Sequence, residues 1–443
     1  MKKLLTSLAL VLGLTTVVAC SNEAQTEQTT DSSKEAEDGL VVTINEPVSI
    51  EFWHAMAGTN QEAVDALVEQ FNSSIGSEKG ITVKPVYQGA YNDLKTKTSA
   101  ALKSGSAPAI AQAYPDWVAE FLQSGAVVAL DEYINNEEVG ITDFDDIIES
   151  YRAENSQYEG GKFYSLPFNK STEVLYYNKT FFEENGLQVP TTWDEVEAVS
   201  AQITALTGNP AFGHDSAQNY FITMVQQFGG EYTNSQGEVL FSENNSQAAI
   251  DALALMKRNV DAGYWRLAGE DKCMSGPFMS NLVQMYIGSS AGYSHTSSAD
   301  FEVGVAPIPQ ISEETGAVIQ QGTNVVVFNQ NKTPEEVYAA YEFAKFLSSY
   351  EGNLYFSTTT SYLPIRQSVI DSAEYQEYIV AANDQTKVVG PSQSKYFFYD
   401  PSFFTDTFSS YNVRQAVGQA VEQVVLNGVS PEQAVQDALN QLK

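Results

Sequence analysis

The run Pro167-Phe168-Asn169-Lys170-Ser171-Thr172-Glu173-Val174-Leu175-Tyr176-Tyr177-Asn178-Lys179 is the stretch that says most about the fold. Its first part, residues 167–171, is polar and predicts a loop. Val174 to Tyr177 is β-branched and aromatic, which predicts a buried strand. Thr180 is the expected N-cap of the next helix. Such loop–strand pairs are common in proteins of many kinds, but they are also a frequent setting for a small-molecule site.

Strands and helices are predicted to alternate ahead of that run. Residues 48–54 and 81–87 have the pattern of strands, and residues 61–71 and 91–103 have the apolar spacing of helices. Residues 105–114 predict a turn that leads into a third strand. This order of elements implies parallel βαβ units, so the globular part is expected to be an α/β protein.

Length and charge limit the domain count and the partners of the chain. Its 443 residues exceed what one hydrophobic core usually supports, so two domains or more are expected. The formal net charge of −33 makes nucleic-acid binding unfavourable, because one polyanion repels another. A surface this acidic mainly keeps a protein soluble.

The first residues, 1–20, have the pattern of a targeting signal. Lys2 and Lys3 precede an apolar stretch, which ends in Val17-Val18-Ala19-Cys20. That ending resembles the lipobox of bacterial lipoproteins, which implies cleavage and lipidation at Cys20. The alternative is an ordinary secretory signal that happens to contain a cysteine.

The segment that follows, residues 21–47, begins as a polar and acidic stretch without apolar period, and it is expected to be a flexible tether. A lipid, a tether and then a globule is the layout of a receptor held at a membrane surface without spanning it. With Cys20 lipidated, Cys273 is the one cysteine left, which excludes an intrachain disulfide and a cysteine-based metal site.

Signals of enzymatic chemistry are weak. The three histidines, His54, His214 and His295, stand at unrelated spacings, and the chain has no HExxH pair and no phosphate-binding P-loop. The stretch Gly288-Ser289-Ser290-Ala291-Gly292 superficially suggests a nucleophile elbow, but such a motif is weak support on its own. We therefore expect no catalytic residue, no metal and no cofactor. With 56 acidic residues, a glycosidase pair cannot be recognised by counting, so a secreted carbohydrate-active enzyme stays open as an alternative.

The run at 167–179 resembles a signature of the bacterial extracellular solute-binding proteins, the receptors of ABC importers. Phe52-Trp53-His54, Tyr87-Gln88-Gly89-Ala90-Tyr91 and Ala107-Pro108-Ala109-Ile110 have close counterparts in the glycerol-3-phosphate-binding proteins of that family. The resemblance extends over nearly all of residues 48–443. It implies a two-lobed α/β fold in which each lobe is a mixed sheet flanked by helices and the ligand cleft lies at the hinge.

The resemblance also implies how the lobes divide the chain. Because the chain of such proteins crosses between lobes two or three times, each lobe is expected to be discontinuous. Residues 48–160 and 303–355 are assigned to the N-terminal lobe. Residues 161–302 and 356–443 are assigned to the C-terminal lobe.

Six positions hold the residue type that the glycerol-3-phosphate-binding proteins use to hold their ligand, and the resemblance therefore implies a ligand-binding role for Tyr91, Ser171, Ser289, Gly322, Tyr362 and Arg414. A phosphate is well held by hydroxyl and backbone N–H donors together with one guanidinium fork, which this set supplies. Taken singly, the two tyrosines could be ordinary packing residues, and Arg414 could be a salt-bridge partner on a helix surface.

Two departures from the family pattern bear on the ligand. The family has a Glu after the third strand, where this chain has Tyr114-Pro115-Asp116, so Asp116 is the candidate replacement. The family also has two Trp that wall the ligand, and Gln218 and Phe221 occupy the nearest positions here. A less bulky and more polar wall suggests a larger ligand or a different head group, such as a glycerophosphodiester.

These observations predict a lipid-anchored extracellular receptor of an ABC importer that binds glycerol 3-phosphate or a glycerophosphodiester such as glycerophosphocholine. It is expected to be a monomer whose partners are the ligand, the membrane through its N-terminal lipid and an ABC permease. Hinge closure on the ligand would be the mechanism. The same class of receptor for an oligosaccharide is the alternative, since a sugar has no need of Arg414 in the cleft.

The lipobox resemblance generates a direct prediction. Replacing Cys20 with Ala removes the thiol that would carry the lipid, so the protein should be released into the medium instead of sedimenting with membranes. Immunoblots of the two fractions measure this. Unchanged retention of the variant on membranes would contradict lipidation at Cys20.

Overall fold

The computed structural model of the chain describes residues 40–242, 244–296, 298–382 and 384–443. The predicted signal peptide, Cys20 and the tether as far as residue 39 lie outside the described residues. Residues 40–443 form one unit. Among the described residues, none of the helices combines the length and apolar character needed to cross a bilayer.

The strands, in chain order, are β1 Val48–His54, β2 Ile81–Tyr87, β3 Ile110–Ala113, β4 Leu166–Asn178, β5 Phe212–His214, β6 Trp265–Leu267, β7 Met285–Ser289, β8 Val303–Ala306, β9 Val318–Val327 and β10 Phe397–Phe398.

The α-helices are α1 Thr59–Ser73, α2 Ile75–Lys79, α3 Tyr91–Ser104, α4 Pro115–Leu122, α5 Asp131–Ile134, α6 Glu149–Asn155, α7 Lys179–Glu184, α8 Trp193–Thr207, α9 Ala217–Gln227, α10 Gln247–Asp261, α11 Ser275–Met279, α12 Pro334–Leu347, α13 Tyr350–Thr359, α14 Gln367–Ile370, α15 Ala373–Ala382, α16 Thr386–Ser392, α17 Ser410–Asn427 and α18 Pro431–Gln441.

The sheet is mixed and runs in the order β2-β1-β3-β9-β4-β7-β5-β6, with β8 paired to β4 and β10 to β9. Strand β1 is parallel to both β2 and β3, which confirms the predicted βαβ units. Strand β9 is antiparallel to both β3 and β4. This arrangement makes β4 and β9 the strands that connect the two ends of the sheet.

The predicted loop at 167–171 is wrong, because these residues belong to β4. They pair with β9 from Leu166 opposite Val325 to Thr172 opposite Gln320, with a register shift between Pro167 and Asn169. The polar side chains that suggested a loop are buried and have partners: Lys170, for example, has no exposed side-chain surface and bonds to Glu154. The predicted strand at 174–177 is the second half of the same strand.

Strands β4 and β9, the two crossing strands, each have one end in one hydrophobic core and the other end in a second core. Leu166 and Phe168 of β4 pack with α1, α12 and β1, whereas Leu175 packs with α8, α9 and α17. Strand β9 is divided in the same way between Val325 and Ile319. The lobe boundaries given above stay a prediction. Two side chains in the segment assigned to the C-terminal lobe, Phe356 and Tyr362, pack in the core that contains Leu166 and Phe168.

Local capping explains where the helices begin. Thr192 and Glu195 form the predicted capping box at α8. The predicted N-cap at Thr180 is wrong: Asn178 caps α7 by accepting the backbone N–H of Phe181 at 2.9 Å. Thr180 is occupied elsewhere, since its hydroxyl accepts the backbone N–H of Glu302 at 3.0 Å.

Gly322 allows β4 and β9 to approach closely. Its φ of +103° lies in a region that side chains other than glycine rarely adopt, and a Cβ atom there would collide with the carbonyl oxygen of Asn169. Gly322 is opposite Lys170 in the register of the two strands. The close approach therefore depends on glycine at this one position.

Substituting Gly322→Ala should lower the free energy of unfolding by about 2–6 kcal/mol, since backbone strain and overpacking each cost about 1–3 kcal/mol. The matched control is Gly208→Ala, where φ is +73° but nothing lies within 4 Å of the added Cβ. The control should cost about 1 kcal/mol, from strain alone. Chemical denaturation of both variants measures the difference, and equal losses would contradict the close-approach argument.

Candidate ligand-binding site

A cavity of about 620 Å³ lies where the crossing strands meet α3, α4 and α17. Eight of the nine predicted ligand-binding residues line it: Tyr91, Asp116, Ser171, Gln218, Ser289, Gly322, Tyr362 and Arg414. They come from segments far apart in sequence and are brought together by the crossing of β4 and β9. Their contact with a ligand stays a prediction.

Phe221 is the exception and does not line this cavity. Its side chain is fully buried in a core cluster, with its ring centroid 5.4 Å from Phe241 and 6.3 Å from Tyr232. Helix α9 is buried on nearly all sides beyond its first turn, so only Gln218 and Asn219 of this helix reach the cavity. The role expected for Phe221 as a ligand wall is corrected to core packing.

The tyrosine hydroxyls of the cavity are held in a network. The Tyr91 and Tyr362 hydroxyls are 3.1 Å apart, and the side-chain amide of Asn169 donates to the Tyr91 hydroxyl at 3.0 Å. Gln112 in turn donates to the Asn169 side-chain oxygen at 3.0 Å. Burial raises the pKa of Tyr91 well above its usual value, so this hydroxyl keeps its proton and can donate.

Ser171 of β4 and Ser289 of β7 form a second network, on two strands that pair with each other. The Ser289 hydroxyl donates to the Ser171 hydroxyl at 3.2 Å, and Ser171 donates to the side-chain oxygen of Gln321 at 3.4 Å. The backbone N–H of Ala291 donates to Ser289 at 3.2 Å, which fixes the end of β7. Both hydroxyls therefore stand at defined positions in the cavity wall.

Arg414 presents its guanidinium to the cavity from α17. One terminal nitrogen donates to Asp400 Oδ2 at 2.6 Å and the other donates to Asn219 Oδ1 at 2.6 Å. Burial by itself disfavours the charge, but the carboxylates of Asp400 and Asp116 outweigh burial, and the pKa of Arg414 is raised. Arg414 is thus both a salt-bridge partner and a cavity-lining cation.

Three carboxyl groups, Asp116, Glu154 and Asp400, line the same cavity. Burial raises the pKa of Asp116 to about 6, against the opposing effect of Arg414 and Lys95. Burial likewise raises the pKa of Asp400, although Arg414 bonds to it. The lining therefore combines three carboxyl groups with the one guanidinium of Arg414.

Aromatic rings form one side of the cavity. The Tyr114 ring centroid lies 5.0 Å from those of both Tyr91 and Trp117. Tyr411 of α17 also lines the cavity, and the Lys95 ammonium of α3 lies 4.0 Å from its ring centroid. This cation–π contact links α3 to α17 across the cavity.

Several lining residues were not found from the sequence: Glu154, Asn219, Gln321, Asp400 and Tyr411. Three of them had a usable signal, because Asn219 and Gln321 are neighbours of predicted residues and Tyr411 lies three residues before Arg414 on one helix face. Glu154 and Asp400 had none, since their approach depends on long-range packing of irregular segments.

Gln218 borders a second cavity of about 620 Å³ on its other side. The Gln218 side chain accepts a hydrogen bond from the Ser216 hydroxyl at 3.3 Å and packs closely over Gly418.

The described residues contain no group of three or more His, Cys, Asp and Glu side chains that could hold a metal ion.

Residues 66–383 match the family model of the bacterial extracellular solute-binding proteins. Because this match spans more than half of the chain, the chain belongs to that family. Its members bind solutes, so at the level of the family the protein is a solute-binding protein and not an enzyme.

Individual relatives agree with this membership. The sn-glycerol-3-phosphate-binding periplasmic protein UgpB of Salmonella typhimurium is 26% identical over 407 residues, covering 88% of this chain and 91% of that protein. UgpB of Mycobacterium tuberculosis, solved in complex with glycerophosphocholine, has a TM-score of 0.77 and 23% identity, covering 89% of this chain and 97% of that one.

A sugar-binding neighbour has nearly the same fold. The cyclic α-maltosyl-1,6-maltose binding protein of Arthrobacter globiformis has a TM-score of 0.75 and 24% identity, covering 89% of this chain and 98% of that one. At 23% and 24% identity these solved structures are evidence for the fold alone. They confirm the predicted two-lobed α/β architecture.

The buried pair of Lys170 and Glu154, in which Glu154 lines the cavity, generates a stability prediction. Glu154 also accepts hydrogen bonds from Gln320 and Asn324, each at 3.2 Å. Substituting Lys170→Met leaves Glu154 as a buried charge without its cation, which should cost about 3–5 kcal/mol of unfolding free energy. Adding Glu154→Gln removes that charge and should restore part of the loss.

The control is Lys257→Met on the surface of α10, where Lys257 pairs with the exposed Asp261 at 2.7 Å. An exposed pair of this kind contributes about 0.3–0.5 kcal/mol. Urea denaturation of the three variants measures the effects. A Lys170→Met loss no larger than that of the control would show that the buried pair is unimportant.

Proposed function

We propose that the chain is the substrate-binding protein of an ABC importer, anchored by a lipid on Cys20 at the outer face of the membrane, and that it takes up a glycerophosphodiester such as glycerophosphocholine. The observation that carries this proposal is the convergence of hydroxyl donors with one guanidinium in a single cavity. Such donors suit the oxygens of a phosphate.

The charges of the lining favour a diester over glycerol 3-phosphate. Arg414 is already paired with Asp400 at 2.6 Å, and Asp116 and Glu154 add further carboxyl groups to the lining. A phosphate monoester brings up to two negative charges, whereas a diester with a cationic head group has no net charge. The carboxyl groups and the rings of Tyr114 and Trp117 together provide a favourable setting for such a cation.

Space supports the same preference. Gln218 stands where relatives have a bulky wall, and a second cavity of about 620 Å³ lies behind it. The polar Gln218 side chain leaves room at that end for a head group beyond glycerol. Bare glycerol 3-phosphate would leave that room unfilled.

Uptake would proceed by closure of two lobes on the ligand, followed by docking of the monomer on a permease. The contact between Lys95 of α3 and Tyr411 of α17 joins the two sides of the cavity. A ligand that bridges the two sides shifts the equilibrium towards the closed state by its differential contacts. We assign residues 48–160 with 303–355 and residues 161–302 with 356–443 to the two lobes.

An oligosaccharide is the second candidate ligand. Tyr114, Trp117 and Tyr411 line the cavity with aromatic surface on which sugar rings could stack. Acidic side chains, abundant here, would accept hydrogen bonds from sugar hydroxyls. This alternative needs no role for Arg414.

A thermal-shift screen tests the proposal. Glycerophosphocholine, glycerol 3-phosphate and a panel of oligosaccharides are each added to the purified protein, and a ligand that binds the native state raises the midpoint by mass action. The largest shift is expected with glycerophosphocholine. A shift with an oligosaccharide and none with either glycerol compound would overturn the phosphate assignment.

Arg414→Ala should weaken glycerophosphocholine binding by roughly 2–5 kcal/mol, because truncation leaves the phosphate without its charged partner in a partly desolvated cavity. That corresponds to about thirtyfold to several thousandfold in affinity. Arg414→Lys should recover part of the loss, since an ammonium cannot form the planar fork. Gln218→Trp should disfavour the bulky head group and leave glycerol 3-phosphate less affected.

Isothermal calorimetry on these variants measures the affinities. Arg258→Ala is the matched control, because Arg258 pairs with Glu197 on the surface of α10 and does not line the cavity. It should bind as the parent does. If Arg414→Ala binds within about threefold of the parent, a range too small for loss of a buried fork, the phosphate does not lie at Arg414.

A further inference from the structure

Glu173 is a buried carboxyl group at the point where β4 exchanges partners. Thr172 is opposite Gln320 of β9, and Glu173 is opposite Ser289 of β7. The side chain is 1% exposed and does not line the cavity. A carboxyl group at such a place is costly to bury, which calls for an explanation.

Two hydrogen-bond chains, one from Arg414 and one from the serine network, end on the same oxygen of Glu173. Its Oε1 accepts from the Asn219 amide at 3.0 Å, and the Asn219 oxygen accepts from Arg414 at 2.6 Å. The same Oε1 accepts from the Gln321 amide at 3.4 Å, and the Gln321 oxygen accepts from Ser171. One carboxyl oxygen thus fixes the orientation of two amides, each of which holds a cavity-lining donor.

The second oxygen of Glu173 has no hydrogen-bond partner. Oε2 is buried, and His214 Nε2 lies 3.7 Å from it, beyond hydrogen-bond distance. The titratable or charged groups around Glu173 are His214 of β5, Asp215 beyond it and Arg414 of α17. The neighbours of Glu173 on β7 and β9 are the neutral Ser289 and Gln321, and Gln393, just after α16, donates to the backbone carbonyl oxygen of Glu173.

We propose that Glu173 is a positioning residue of the ligand site, and that binding of a phosphodiester at Arg414 is coupled to retention of a proton on Glu173. This rests on the proposed function only in the choice of an anionic ligand. The Glu173 carboxyl group lies behind Arg414 and is connected to its guanidinium through the side-chain amide of Asn219. It is connected to the Ser171 hydroxyl through the side-chain amide of Gln321.

The sign of the coupling follows from the charges. Burial raises the pKa of Glu173 to about 8, with the Asn219 hydrogen bond opposing. Burial lowers the pKa of His214 to about 3, so His214 is neutral and gives Glu173 no counter-charge. A phosphate anion nearby favours the neutral form of Glu173 further. The complex therefore holds the proton to higher pH than the free protein, and affinity falls as pH rises through about 8.

The test measures the affinity for glycerophosphocholine by calorimetry between pH 7 and pH 9. A diester has no titrating phosphate proton in this range, unlike a monoester whose second pKa is about 6. For the parent, the dissociation constant should rise by about threefold to tenfold per pH unit above the pKa, the limit for a single linked proton being tenfold. Calorimetry at pH 8 in two buffers of different ionisation heat should show net proton uptake on binding.

Glu173→Gln is the decisive variant, because its amide keeps an oxygen for Asn219 and Gln321 but cannot titrate. Its pH dependence between pH 7 and pH 9 should be flat and its proton uptake absent. Burial lowers the pKa of Lys387 to about 7, but Lys387 is common to parent and variant, so the comparison cancels its contribution. Glu342→Gln changes a buried glutamate of α12 that does not line the cavity, so it is the control and should keep the slope of the parent.

Glu173→Leu removes the shared acceptor of Asn219 and Gln321 and should weaken binding by roughly tenfold, the size expected for the loss of one or two hydrogen bonds. If Glu173→Leu does not fold, the change of the dissociation constant with pH in Glu173→Gln still tests the coupling. A Glu173→Gln slope equal to the parent's would overturn the coupling. Absence of glycerophosphocholine binding by the parent would instead overturn the proposed function, so the two failures are distinguishable.

Discussion

The antiparallel pairing of β4 with β9 is the constraint on which the rest of the structure depends. Each of these strands has one end in one hydrophobic core and its other end in the second core, so the pairing sets how the two cores face each other. The pairing tolerates little change where Gly322 lies against Asn169, because no side chain fits there. Ser171 and Gly322 then line the cavity as a direct result of strand register.

Buried polar groups make the cavity rigid and also lower the stability of the fold. The cavity wall and the layer behind it hold the buried side chains of Lys170, Glu154, Glu173 and Asn219, which bond to one another in pairs. Burying such groups is favourable only if each is hydrogen-bonded, so the networks hold the lining in one arrangement. A cavity built in this way is preorganised for its ligand, at the expense of stability.

Sequence reasoning succeeded where signals are local and failed where burial depends on distant partners. The strand at 48–54 and the capping box at Thr192 follow from short-range pattern and were confirmed. The polar stretch 167–171 was mistaken for a loop, because its Lys170 is neutralised by Glu154, a residue that no local pattern connects to it. Phe221 was misplaced for a related reason: alignment to a wall position cannot tell which face of α9 is covered by the core.

A crystal structure of the protein grown with glycerophosphocholine tests the central claim most directly. We expect a phosphate bonded to the Arg414 guanidinium and to the hydroxyls of Ser171 or Ser289, with the head group directed towards Gln218. Density for the ligand elsewhere, or a phosphate more than about 4 Å from Arg414, beyond the range of an ion pair, would contradict it.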